Sequence, residues 1–197
     1  MPLTEAIARQ CLYEAQDRRI LVIGDVMLDR FVSGSVDRIS PEAPIPVLRA
    51  ERQEHMLGGA GNVARNLTAL GFSCTLIGVV GNDEEGEIVR RLADAEQIGH
   101  FLVVSDGRKT TSKWRFIGAS QQLLRVDWEE DGLLPRHTAT ELSRKVAEHV
   151  VGVDAIILSD YGKGVLDDPL ISSTIATARR NTSPVVVDPK GASYARY

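Results

Sequence analysis

The stretch from Leu57 to Gly71, Leu-Gly-Gly-Ala-Gly-Asn-Val-Ala-Arg-Asn-Leu-Thr-Ala-Leu-Gly, restricts the possible folds of this chain more than any other. Small residues cluster at its start, then Val63, Leu67 and Leu70 recur at helical spacing, and Gly71 can cap. The pattern predicts a loop feeding a helix start, with free backbone N–H groups and few side chains in the way. Three readings compete for it: a plain turn before a packed helix, a dinucleotide fingerprint, and a sugar-binding turn. The fingerprint fits as Gly59-x-Gly61-x-x-Ala64 with Asp83 near the expected distance, but it must follow a strand directly. Glu51 to Met56 is polar and weakly patterned, so the dinucleotide reading is set aside.

Upstream, Leu3 to Gln16 has one apolar helical face and predicts a short outer helix. Arg19-Ile-Leu-Val-Ile-Gly24 is an apolar run typical of a strand buried on both sides of a parallel sheet. Asp25 and Asp29 follow it, at the strand end where open α/β sheets bind ligands. From Arg30 to His55 apolar residues are broken by Gly34, Pro41, Pro44 and Pro46, so short strands with turns fit better than a helix. Ser73–Val80 and Phe101–Val104 read as further buried strands, with Asn82 or Asp83 capping a helix through Ile98 between them. Thr110–Phe116 and Leu123–Trp128 alternate like strands wetted on one face. A helix over Thr138–Val151, a strand at Ala155–Leu158, a helix over Pro169–Arg179 and a strand at Val185–Val187 complete the chain. Strand–helix alternation with apolar strands predicts an α/β fold, a mostly parallel sheet with helices on both faces.

Length and composition fit that reading: 197 residues, 43% hydrophobic and 25% charged, are those of an ordinary globular chain. The formal charge of −4 gives no push toward nucleic acid or anionic membranes. Apolar runs are too short to span a bilayer and the N-terminus is unlike a secretory signal, so cytoplasm is the expected compartment. Cys11 and Cys74 lack metal-ligand spacing, and Cys74 alternates into a strand as a small core residue.

Five segments in order narrow the reading beside Gly58-Gly-Ala-Gly-Asn-Val-Ala64: Gly24–Arg30 (Gly-Asp-Val-Met-Leu-Asp-Arg), Arg38–Pro44 (Arg-Ile-Ser-Pro-Glu-Ala-Pro), Gln121–Asp127, Leu158–Gly164 (Leu-Ser-Asp-Tyr-Gly-Lys-Gly) and Asp188–Gly191 (Asp-Pro-Lys-Gly). From about Arg19 to Tyr197 the chain resembles the ribokinase-like (PfkB) carbohydrate kinases, and among them the branch acting on a heptose 7-phosphate. The resemblance implies a ribokinase-like fold with a small β-lid, its segments at about 31–56 and 108–128, inserted in residues 1–197 as the N-terminal portion of a kinase domain. It implies ATP-dependent phosphorylation of the anomeric 1-hydroxyl of D-glycero-D-manno-heptose 7-phosphate, in ADP-heptose formation for lipopolysaccharide core. ATP and magnesium are the implied co-substrate and cofactor, and a homodimer through the lid the implied assembly.

By the resemblance Asp29 grips substrate hydroxyls, which a carboxylate accepts without reorganising, or else it stabilises a loop. Gly58, Gly59 and Asn62 should line the same pocket, while Asp25 is structural. Lys113 and Arg115 alternate along one strand and so share a face, with Arg125 on the expected neighbour. Together they can hold the 7-phosphate, or else pair with Asp127 or Glu129 as lid charges. Asp160 with Lys163, and Asp188 with Lys190, follow strand ends and can position magnesium-bound phosphates or form simple ion pairs. The family's catalytic base is the Asp of a late Gly-Ala-Gly-Asp turn. Here Gly59-Ala60-Gly61 is followed by Asn62, an amide, so the base and most of the nucleotide site are expected beyond Tyr197 and the chain alone should lack turnover. A non-catalytic sugar-phosphate binding or regulatory module is the alternative from another class, and a Rossmann oxidoreductase ranks third.

Overall fold

The computed structural model describes residues 4–191 and 194–197. A five-stranded sheet carries the core, built from β1 (Arg19–Gly24), β4 (Ser73–Gly81), β5 (Gly99–Ser105), β8 (Ala155–Ser159) and β9 (Val185–Asp188), with β2, β3, β6 and β7 in a second sheet. The core strands lie in the order β5-β4-β1-β8-β9, and every neighbouring pair is parallel. The continuous apolar run of β1 has the cause expected of it. Leu21 and Ile23 point into one core with Ile77, Leu142, Ile156 and Ile171, while Ile20 and Val22 point into another with Leu76, Ala64, Ile88 and Val89. Helices α4 (Arg136–His149) and α5 (Asp168–Arg180) supply the first core. Helices α2 (Ala60–Ala69) and α3 (Glu84–Ala95) supply the second. Among the described residues, no helix is long and apolar enough to cross a membrane.

Helix starts follow local chemistry. Asp83 accepts the Gly86 amide at 2.9 Å ahead of α3, and Asp167 accepts the Leu170 amide at 2.8 Å ahead of α5, where Pro169 sits at a position that needs no N–H. Helix α1 (Glu5–Ala15), capped by Thr4, buries none of its residues and lies outermost. Helix α3 ends three residues before Ile98, which fills the second core from the turn instead.

The second sheet is four-stranded, in the order β3-β2-β6-β7: β2 (Val26–Ile39), β3 (Pro46–Gly59), β6 (Ser112–Gly118) and β7 (Gln121–Trp128). Strands β2 and β6 pair in parallel and the two outer pairs are antiparallel. Two expectations are corrected here. Arg30–His55 forms two long strands of 14 residues, not several short ones, with Pro41 and Pro44 confined to the connecting turn and Pro46 at the first strand position. Most of β3 is exposed on both faces, so it carries no apolar alternation to read. The second correction follows from the first. Gly58 and Gly59 end strand β3 rather than forming a loop, and Glu51–Met56 is a strand directly ahead of the Gly-rich turn. The dinucleotide reading fails for a different reason: this strand is antiparallel to β2 and lies outside the parallel sheet.

Candidate functional site

Everything near the candidate site hangs on Asp25, the residue between β1 and β2. Its buried carboxylate accepts the amides of Tyr161 (2.8 Å), Lys163 (3.1 Å) and Val165 (3.2 Å). Its backbone carbonyl accepts the first amide of α2, from Ala60, at 2.9 Å. Burial pushes the Asp25 carboxyl above its ordinary range, against the pull of the three amides. One side chain thus ties the end of β1, the start of α2 and the turn after β8 together. Gly59 must pass beside this junction at φ +55°, where a Cβ would collide with the Asp25 carbonyl oxygen.

Strand alternation gives the small sheet two unlike faces. One face presents Asp29 and Phe31 from β2, Lys113 and Arg115 from β6, and Arg125 and Asp127 from β7, as the register Asp29↔Lys113, Phe31↔Arg115, Lys113↔Asp127 and Arg115↔Arg125 requires. Asp29 therefore sits inside a strand, not in a loop after β1. It accepts the Arg115 guanidinium at 2.6 Å, and the bare backbone of Gly58 leaves the room it occupies, since a Cβ there would stand 2.7 Å from its Oδ2. Lys113 donates to Asp127 at 2.9 Å and to Glu129 at 3.3 Å, and the Arg125 guanidinium forms an ion pair with Asp127 at 3.0 Å. Burial would raise the Asp127 carboxyl, but the two cations outweigh it and hold it below the ordinary range. The structure thus brings Lys113, Arg115 and Arg125 together, each paired with a carboxylate. Asn62, exposed in the first turn of α2, accepts the Asn66 side-chain amide at its own carbonyl and at Oδ1.

At the carboxyl edge of the core sheet the four remaining candidates separate into two pairs of unlike environment. Asp160, 4% exposed, accepts the Gly162 amide at 2.8 Å, the Tyr197 hydroxyl at 2.7 Å and Arg196 at 3.3 Å. Burial and that carboxylate push Tyr197 up to about 12. Lys163 reaches across to Glu129 (2.9 Å) and Asp131 (2.7 Å) on the strand exit of β7, so it links the two sheets. Asp188 and Lys190 form no side-chain hydrogen bond or ion pair among the described residues. Tyr161, Arg196 and Arg30 were not singled out from the sequence. Tyr161 stands where burial, and then the charges of Asp188 and Asp29, raise its phenol. Its signal was its place inside Asp-Tyr-Gly-Lys, as that of Arg30 was its place at the end of Gly-Asp-Val-Met-Leu-Asp-Arg, while Arg196 carried none.

The opposite face of the small sheet presents Arg30, Ser112, Trp114, Phe116, Val126 and Trp128. A cleft of about 490 Å³ lies against it, lined by Trp114, Phe116, Val126 and Trp128 with Asp83, Thr110 and Glu85 from the core side. Among the described residues no group of three or more His, Cys, Asp or Glu could by itself hold a metal ion.

A parallel sheet covered on both faces, a second small sheet, and a Gly-Gly strand end set against a strand acid together define a known class. The chain belongs to the pfkB family of carbohydrate kinases, whose pattern matches residues 17–197. Its relatives include the D-beta-D-heptose 7-phosphate kinase of Bordetella bronchiseptica, 52% identical over 180 residues covering 91% of this chain and 56% of that protein. The bifunctional protein HldE of Rhodospirillum rubrum is 49% identical over the same share of this chain and 36% of its own length. The chain thus spans about a third to just over half the length of these curated relatives. Phosphofructokinase-2 of Escherichia coli, in its tetrameric inhibited form, superposes with a TM-score of 0.68 at 22% identity, over 89% of this chain and 56% of that one. A phosphofructokinase-like structure from Staphylococcus aureus gives 0.69 at 14% identity, over 88% and 53%. At such identities these two speak for the fold alone.

Proposed function

We propose that this chain forms the sugar-binding part of an ATP-dependent kinase that phosphorylates the 1-hydroxyl of D-glycero-D-manno-heptose 7-phosphate, toward ADP-heptose for lipopolysaccharide core. One observation carries the reading: the register of the small sheet sets Asp29, Lys113, Arg115 and Arg125 on a single face, an acid beside three cations. Asp29 accepts sugar hydroxyls, with Gly58, Gly59 and Asn62 forming the opposing wall. The 7-phosphate takes Arg125 and Lys113 from Asp127 and Glu129, exchanging carboxylate for a dianion that Arg can grip with two parallel bonds. Asp188 and Lys190, without partners among the described residues, fit the magnesium-bound phosphates of ATP. Asp160 and Lys163 serve that side less directly, since both are already engaged. Bound ATP supplies the phosphoryl group, and magnesium neutralises its charge.

The small sheet acts as the lid with its Asp29 face toward the sugar, and the aromatic face opposite, open at Trp128, which is 61% exposed, suits pairing with a second copy in a homodimer. The compartment we assign is the cytoplasm. Asn62, after Gly59-Ala60-Gly61, is an amide and cannot take a proton from the 1-hydroxyl, so it is not assigned as the general base.

Calorimetric titration tests the reading. Heptose 7-phosphate should bind more tightly than heptose, and Arg125→Ala should remove that preference while leaving heptose affinity unchanged. Equal losses for both sugars would refute the phosphate assignment. Joining the chain to the remainder of a kinase domain should produce turnover; sugar-phosphate binding with no turnover even then would favour the binding-module reading.

A further inference from the structure

Arg30 is charged, near the start of β2 and only 6% exposed, on the face of the small sheet away from Asp29. Its Nη2 donates to Glu85 in the first turn of α3 at 3.0 Å, and its guanidinium carbon lies 4.6 Å from the centre of the Trp114 ring on β6. Its Nε is buried with no partner among the described residues. A buried cation with one ion pair and an unmet donor is a poor stabiliser, and an apolar side chain of similar length would hold the sheet as well. The cost therefore calls for another account. Neighbouring residues of a strand point to opposite faces, so turning β2 about its axis moves Arg30 and Asp29 together.

We infer that Arg30 is a positioning residue: anchored to Glu85 on the core side and stacked on Trp114, it fixes the tilt of β2 and so the aim of Asp29 into the sugar cleft. The anchor acts between the two sheets, because Glu85 belongs to a helix of the core and Arg30 to the small sheet. Planarity matters as well as charge, since the guanidinium must lie on the indole while one edge meets the carboxylate. This inference rests on the sugar-binding reading given above, and it adds a residue that never touches the substrate.

The test is a double-mutant cycle on the 197-residue chain with Arg30→Met and Glu85→Gln. Melting temperature, heptose 7-phosphate affinity by calorimetry, and amide hydrogen exchange in β2 and β6 are read for each protein. Each single variant should stay folded and lose about tenfold in affinity, and the double should lose no more than either, as partners in one anchor do. Arg30→Lys should recover part of the loss by restoring the ion pair. Affinity unchanged in Arg30→Met, with only the melting temperature altered, overturns the inference and leaves Arg30 a structural residue. If Arg30→Met does not fold, Glu85→Gln and Arg30→Lys decide on the same affinity criterion. If the unaltered chain binds no heptose 7-phosphate, the sugar reading fails by itself. Hydrogen exchange then decides the anchor: faster exchange at Asp29, Phe31 and Arg115 in the variants upholds it, and unchanged exchange overturns it.

Discussion

Gly59 turns the chain from β3 into α2 at φ +55°, with the Asp25 carbonyl where a Cβ would go. Gly59→Ala should therefore cost about 1–3 kcal/mol, read from urea unfolding, because strain and collision add. Asp29 meets different demands, being an acceptor beside Arg115 on a face lined with cations. Replacing it by Asn puts an NH₂ where an acceptor is needed, and heptose 7-phosphate affinity should fall about tenfold with little change in melting temperature. Acid sensitivity also has a residue-level source. Burial tends to raise Asp83, but the Thr110 hydroxyl and amide and the Gly86 amide hold it below 3.8. A carboxyl with a depressed folded value contributes stability that is present above its ordinary range and lost as pH falls through the folded value. Asp83→Asn should flatten the acid limb of the stability profile below about pH 4, measured by chemical denaturation across pH. Asp25, with its raised carboxyl, acts in the opposite sense, its contribution falling as pH rises from 3.8 toward its folded value.

Among the elements, the core strands and the small-sheet strands are held by different physics. Leu76 in β4 is wholly buried in the core shared with α2 and α3, and Leu76→Ala should cost about 2–5 kcal/mol in equilibrium unfolding. Strands β2 and β3 instead lean on each other through a long ladder with bulges near Ser33/Gly34 and Val36/Arg38, and little of their outer length is buried. Apolar truncation there should be nearly silent. Ion pairs such as Lys113 with Asp127 and Glu129 cross between strands, while Lys163 to Glu129 and Asp131 joins the exit of β7 to the turn after β8. The acid of the candidate site, Asp29, thus sits at the buried root of β2 between Leu28 and Arg30, whereas the cations Lys113, Arg115 and Arg125 stand on the half-buried to exposed strands β6 and β7.

For the whole molecule, two sheets meet at the Asp25 junction, and the proposed lid pairing concerns the aromatic face of the small sheet at exposed Trp128. Trp128→Lys should convert a dimer to a monomer in sedimentation velocity while leaving the circular dichroism unchanged; a dimer that survives it would exclude that face as the contact. The sequence by itself determined the parallel core sheet, because burial on both sides leaves the continuous apolar runs seen at Ile20–Ile23 and Leu76–Val80. It also determined that Lys113 and Arg115 share a face, since strand alternation needs no tertiary information. Other features needed the folded chain. Long wet strands at Arg30–His55 carry no periodic apolar signal, and Gly58-Gly59 looks like a loop until β2 lies beside it. The pairing of each site cation with a carboxylate depended on strand register. The burial of Arg30 depended on a carboxylate 55 residues away. Apolar burial writes itself into local pattern, whereas charge pairing is settled only when distant segments meet.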